Sequence, residues 1–257
     1  MLNLKLVIIM DKYEKLLQEH LGEKLSFYNK VDSTNDVAKK MEKWEHGTII
    51  VAKEQTAGRG TYGRTFFSKA ERGIYMTLIV DLEKWTFKHE HLATHYTAVV
   101  ASEAIEKVTG VKIALKWVND LFLDGKKIGG ILTEKVFQSN KLIIGIGINL
   151  TGAETDFPEE IKTTAKSLGL KPPVDKMAAA LVISLYQGIL NSGMLDVQRL
   201  LTCYKEKLFI LGEAVEIIQG EKTFVALVSD VSLCGGLIVE TTSEKLTLQA
   251  GEVKLKL

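Results

Sequence analysis

The texture of the chain changes once, near Leu211, and that change limits the fold more than any single motif does. Upstream, β-branched runs alternate with segments of helical spacing. Downstream, residues 215–218, 224–228, 237–240, 246–248 and 253–257 are short strand-like runs. Gln219-Gly220, Cys234-Gly235-Gly236, Thr242-Ser243 and Ala250-Gly251 separate them. Five short strands with turn signals and no helix predict a small β-barrel. The expected class is therefore α+β: a mixed-sheet domain over residues 1–211, followed by a barrel over residues 212–257. A chain of 257 residues is long enough to bury a core of that extent.

Within the first part, residues 11–21 have helical spacing and 25–30 read as a short strand. Ser33-Thr34-Asn35-Asp36 is a helix-start signal, hydroxyls with an acid three residues after Ser33, and predicts a helix running to about Trp44. Residues 48–52 and 73–80 are β-branched strands, and 55–64 are too glycine-rich for an element interior. Apolar spacing from His91 to Val108 predicts a long helix ending near Gly110. Residues 113–117 and 119–123 look extended, and Asp124-Gly125 is a two-residue hairpin signal. A buried strand over 141–148 and two helices between about 175 and 208 complete this part.

Composition removes several function classes. The net charge of +1, from 33 basic and 32 acidic residues, lacks the electrostatic footprint of a nucleic-acid binder. No apolar run approaches the roughly 18 residues of a membrane span. Residues 4–10 are apolar but short, lack a small-residue cleavage site and run into Asp11-Lys12, so a cytoplasmic protein is expected. Cys203 and Cys234 are far apart and predict neither a disulfide nor a metal site. His89, His91 and His95 miss the His-Glu-x-x-His spacing, because position 93 is Ala93, and a polar helix face is the expectation.

Arginine is scarce and clustered: Arg59, Arg64 and Arg72 fall in one stretch, with Arg199 apart. A planar fork suits phosphate or carboxylate, although a solvated loop could also carry such a cluster. Gly58-Arg59-Gly60-Thr61-Tyr62-Gly63 has the letters of a dinucleotide fingerprint, but Thr65-Phe66-Phe67-Ser68 follows where a helix would have to open. What remains is a flexible loop with two arginines, a candidate lid over a phosphate-bearing ligand. Lys116-Trp117-Val118-Asn119-Asp120 groups a lysine, an amide and a carboxylate suited to phosphate plus Mg²⁺, and Lys127 precedes the Gly129-Gly130 pair. Taken alone, the same residues also describe a surface strand with solvated lysines.

The ordered set of Val31–Asn35, Gln55, Gly58–Arg64, Lys116–Asp120, Lys127–Leu132, Gly145–Asn149 and Gly251-Glu252-Val253 resembles the biotin protein ligases. The resemblance implies a mixed-sheet catalytic domain like that of lipoate ligases, followed by an SH3-like barrel. It implies an ATP-dependent ligase, in which biotin and ATP·Mg²⁺ form biotinyl-AMP and a lysine of a biotin carboxyl carrier then takes the biotin. By the same resemblance Ser33, Thr34, Asn35, Gln55, Arg59, Gly60, Thr61 and Lys127 are the biotin-binding residues. Arg59, Arg64, Lys116, Asn119 and Asn149 fall to ATP, Asp120 to the metal, and Lys127, Arg59 and Lys116 to catalysis.

Val118 stands where the family usually has proline, and Thr61 where it commonly has arginine. Only about 25 residues precede the first motif, so a DNA-reading N-terminal domain is not expected, and neither DNA nor membrane is an expected partner. A homodimer stays open. The alternatives are a lipoate–protein ligase and a non-catalytic biotin-binding module.

Overall fold

The computed structural model describes residues 2–171, 173–191, 196–249 and 252–255. Its elements in chain order are α1 (Leu2–Leu21), β1 (Leu25–Tyr28), α2 (Thr34–Lys40), β2 (Thr48–Ala52), β3 (Gly73–Asp81), α3 (Ala93–Thr109), β4 (Ala114–Lys116), β5 (Asp120–Leu123), β6 (Lys126–Lys135), β7 (Lys141–Asn149), α4 (Asp175–Leu190) and α5 (Val197–Lys207). Five strands follow: β8 (Ala214–Gln219), β9 (Lys222–Val231), β10 (Leu237–Glu240), β11 (Lys245–Leu248) and β12 (Glu252–Leu255). The first seven strands form one sheet in the order β1-β2-β3-β7-β6-β5-β4, antiparallel except for the parallel β1–β2 pair. The last five form a separate antiparallel sheet in the order β11-β10-β9-β8-β12. The α+β class is as expected; Gly251, part of the last motif and the last turn signal, lies outside the described residues.

All five residues of β2 are buried, because helices cover both faces of the sheet. The period of two sorts them: Ile50 joins Ile79, Ile143 and Ala38 of α2 on one face, while Ile49 and Val51 join the larger core on the other. That larger core takes in α3 and α4 and continues into Val215, Val228 and Val239 of the second sheet. The β5–β6 hairpin turns through Asp124 and Gly125 at φ 49 and 74, the two positive dihedrals that its two-residue connection needs.

Three expectations are corrected. Helix α2 stops at Lys40 rather than near Trp44. Its last carbonyls are taken by a buried lysine instead of a further turn: Lys141 Nζ donates to Ala38 O at 2.5 Å and Met41 O at 3.0 Å, and it sits 5.4 Å from the Trp44 ring. Burial lowers the pKa of that ammonium below the ordinary lysine value. The capping signal at Ser33 gives the N-cap position but no cap, since the Ser33 hydroxyl makes no capping bond and Asp36 is engaged by Arg59. His95 does not lie on a polar helix face. It is only 3% exposed. Its Nε2 donates to Gly235 O at 3.0 Å, and its ring lies 4.8 Å from that of Tyr204.

Candidate active site

A cavity opens where the N-terminus of α2, the loop after β2, the start of β5 and the middle of β6 and β7 meet. Ser33, Thr34 and Asn35 are buried at one wall. Gln55 holds this corner by hydrogen bonds at both ends of its amide. Its Oε1 accepts from Thr34 N at 2.8 Å and Thr34 Oγ1 at 3.0 Å, while its Nε2 donates to Ser68 Oγ at 2.8 Å. Asn35 Nδ2 donates to Leu132 O at 3.2 Å and Glu134 Oε2 at 2.9 Å. The Thr77 hydroxyl, beneath them, is 2.6 Å from Asn35 Oδ1 and 2.7 Å from Thr34 Oγ1. Asn35 fits because strand β7 carries no side chain opposite it: a Cβ on Gly145 would lie 2.2 Å from Asn35 Oδ1.

The opposite wall is cationic. Lys127 Nζ pairs with Asp120 Oδ1 at 2.5 Å, and Lys116 Nζ lies 5.5 Å from the centre of the Phe122 ring. The register explains the grouping. Lys116 pairs with Asp120 across β4–β5, and Asp120 with Gly130 across β5–β6, so one narrow band of sheet collects the charges. Asn119 donates its Nδ2 to Ile131 O at 2.9 Å and fastens the turn between β4 and β5 to β6. Trp117 is anchored from the second sheet, its ring N–H donating to Gly235 O at 2.9 Å. The Trp117–Val118 peptide is cis. Gln249 and Val253 bring the second sheet to the cavity itself.

The glycine loop closes the remaining side with Arg59, Gly60, Thr61, Tyr62, Arg64 and Thr65. Its ends are pinned by Gly60 N to Arg64 O at 2.8 Å and Phe66 N to Gly58 O at 2.8 Å. Arg59 Nη1 pairs with Asp36 Oδ1 at 2.6 Å, and Asp36 and Glu134 together raise the guanidinium pKa further.

All the residues that the sequence assigned to biotin, ATP, metal or catalysis line this cavity, Asn149 excepted. Asn149 instead donates its Nδ2 to Lys166 O at 3.1 Å, beside the segment that binds Lys127 by Lys127 N to Thr164 O at 2.8 Å. Arg72, the third clustered arginine, is outside too, paired with Asp156 at 3.0 Å. The sequence motifs contain Gly145, in the Gly145–Asn149 run, but not Glu134, Thr77 or Gln249. Gly145 carries a local signal as well, being a glycine inside a strand with no turn to explain it.

Among the described residues, no three His, Cys, Asp or Glu side chains come together to hold a metal ion. Asp120 is a single hard oxygen donor on the cavity wall. Such a donor set fits Mg²⁺ carried in on substrate phosphates, because Mg²⁺ commonly keeps one or two carboxylates and fills its shell with phosphate and water.

The biotin/lipoate A/B protein ligase family matches residues 27–150. The chain is 37% identical over 158 residues to the bifunctional ligase/repressor BirA of Bacillus subtilis, covering 60% of this chain and 48% of that protein. It thus spans about half the length of the curated Bacillus relatives that it matches. Identity to the biotin–[acetyl-CoA-carboxylase] ligase of Mycobacterium tuberculosis is 27%, over 80% of this chain and 78% of that one. A solved biotin protein ligase from Aquifex aeolicus, in complex with biotin and ATP, has a TM-score of 0.76 at 28% identity, covering 91% of this chain and 99% of that chain. The segment that matches the biotin/lipoate A/B protein ligase family, residues 27–150, supplies every lining residue of the cavity except Gln249 and Val253.

Proposed function

We propose that the chain is an ATP-dependent biotin protein ligase. The observation that carries the reading is the cavity: an uncharged hydrogen-bonding wall of Thr34, Asn35 and Gln55 shares one space with Lys116, Lys127 and two loop arginines. A neutral heterocycle with a carboxylate tail suits the first wall, and the tail plus nucleotide phosphates suit the second. In the first step a biotin carboxylate oxygen attacks the α-phosphorus of ATP, the bond to the β-phosphate oxygen breaks, and biotinyl-AMP and pyrophosphate result. In the second, an uncharged carrier lysine attacks the acyl carbon, AMP leaves, and the amine gives up a proton.

The residues answer the physical demands of that sequence. Two anions have to meet, so Lys127, Lys116, Arg59 and Arg64 offset their repulsion and the charge that develops at phosphorus. Mg²⁺ bound with the nucleotide would neutralise the leaving pyrophosphate, and Asp120 is the residue that would hold it. The glycine loop excludes water from a mixed anhydride that hydrolyses readily. Asn149, placed by resemblance at the adenine, is next to the backbone that positions Lys127.

The domain division proposed is residues 1–211 for catalysis and 212–257 for the appended strands. The partner proposed is a biotin carboxyl carrier, with no sequence-specific DNA binding and a cytoplasmic location. No helix among the described residues is long and apolar enough to cross a membrane.

ATP–pyrophosphate exchange with biotin or lipoate as the sole acid tests the reading. Biotin-dependent exchange followed by label on a carrier lysine is expected. Exchange with lipoate alone would make it a lipoate ligase, and biotin binding without exchange would make it a non-catalytic module.

A further inference from the structure

Glu134 belongs to none of the motifs, yet three of the groups around the first-substrate wall converge on it. Its Oε2 accepts from Asn35 Nδ2 at 2.9 Å, and its Oε1 accepts from Lys39 Nζ at 2.7 Å and lies 3.9 Å from Arg59 Nη2. Arg59 in turn holds Asp36. Two acids and two cations, formally neutral in sum, therefore tie strand β6 to helix α2 and to the glycine loop.

We infer that Glu134 is a positioning residue for the acid substrate, fixing which end of the Asn35 amide faces the cavity wall and where the glycine loop rests. The chemistry of the amide makes the orientation one-way. Asn35 Nδ2 meets two acceptors, Leu132 O and Glu134 Oε2. A flipped amide would aim Oδ1 at a carbonyl and a carboxylate, with no hydrogen between them. The correct flip sets Oδ1 against the Thr77 hydroxyl and into the space left by Gly145. Asn35 is 4% exposed, so water has little access to replace a lost partner. Ion pairing alone does not account for the cluster, because part-exposed ion pairs typically contribute about 0–1 kcal/mol each. The identity of the acid that Asn35 meets rests on the ligase reading; the positioning does not.

Two measurements on Glu134→Ala and Glu134→Gln test the inference. In ATP–pyrophosphate exchange, Glu134→Ala should raise KM for biotin about tenfold or more while KM for ATP stays within about threefold. Glu134→Gln, which keeps an oxygen acceptor toward Asn35, should recover biotin KM to within about threefold of wild type. Hydrogen exchange of the Asn35 side-chain amide, followed by NMR without substrate, should speed up in Glu134→Ala and remain slow in Glu134→Gln. A biotin KM unchanged in Glu134→Ala, equal rises in both KM values, or unchanged protection of the Asn35 amide would overturn it. If Glu134→Ala does not fold, Glu134→Asp takes its place, and the shortened acid should show the same selective rise, threefold or more. Wild type without biotin-dependent exchange would sink the ligase reading instead, and the Asn35 amide protection would still decide the positioning.

Discussion

Lys127 Nζ lies 2.5 Å from Asp120 Oδ1, so the cation assigned to the reacting carboxyl already shares its charge with the carboxylate assigned to the metal. The pair explains how a lysine and an acid occupy one small cavity wall without substrate. It also means that neither residue can be removed without changing the other.

Lys127→Ala should therefore do more than delete a donor, since it leaves Asp120 unopposed where two anionic substrates must meet. Loss of one preorganised donor at a charge-developing site typically lowers kcat by about 10²–10³-fold. The expected result is exchange reduced at least that far, with an unfolding midpoint close to that of wild type. A rate within threefold of wild type would remove Lys127 from the mechanism.

Asp120→Ala separates the two half-reactions. If the carboxylate serves the ion that accompanies pyrophosphate, half-saturating Mg²⁺ for exchange should rise about tenfold or more. Transfer from pre-made biotinyl-AMP to the carrier should stay within about threefold, because no pyrophosphate leaves in that step. Equal loss in both halves would point to a folding defect.

What the sequence discloses, and what it hides, follows from the range of the interactions involved. The turn at Asp124-Gly125 was legible because positive φ at both positions limits the residue types. The cavity residues were legible as an ordered set of short motifs, and almost all of them meet. Glu134 was not, because its bond to Asn35 spans 99 positions and depends on the register of β6 and on where α2 is laid. The end of α2 was misjudged for the same reason: its cap, Lys141, arrives from 103 positions away. His95 read as polar because its partner, the Gly235 carbonyl, lies 140 positions downstream in the other sheet.

That histidine gives a pH prediction. Burial first, opposed by its bond to Gly235 and helped by His91, lowers the His95 pKa from 6.5 to about 4. The unfolded chain therefore binds a proton between those values that the folded chain refuses, and its contribution to stability is lost as pH falls from 6.5 toward 4. A shift of that size corresponds to about 3 kcal/mol at its limit. His95→Gln, which can donate to Gly235 O without titrating, should be less sensitive. Urea unfolding at pH 7 and pH 4.5 should give a fall in stability about 2–3 kcal/mol larger for wild type than for the variant. Equal falls would mean that His95 takes up its proton without leaving its site.

Thr61 supplies the last prediction. It opens the short turn Thr61–Gly63 and lines the cavity, at a position where the resembling ligases commonly carry arginine. An arginine there could give the adenylate a charge-assisted hydrogen bond, which contributes about 1.5–3 kcal/mol when shielded from water. If all of that appears in dissociation, Thr61→Arg should slow biotinyl-AMP release by about one to two decades. Wild type, releasing its intermediate sooner, should label bystander lysines more than the variant does. Arg64 lines the same cavity three residues on, and Thr61 O accepts from Arg64 N at 3.2 Å, so the new guanidinium would enter a turn whose backbone is already set. Stopped-flow displacement of biotinyl-AMP from both proteins measures the difference. Indistinguishable off-rates would mean that Arg64 and Arg59 already hold the intermediate, and that position 61 serves only to space the loop.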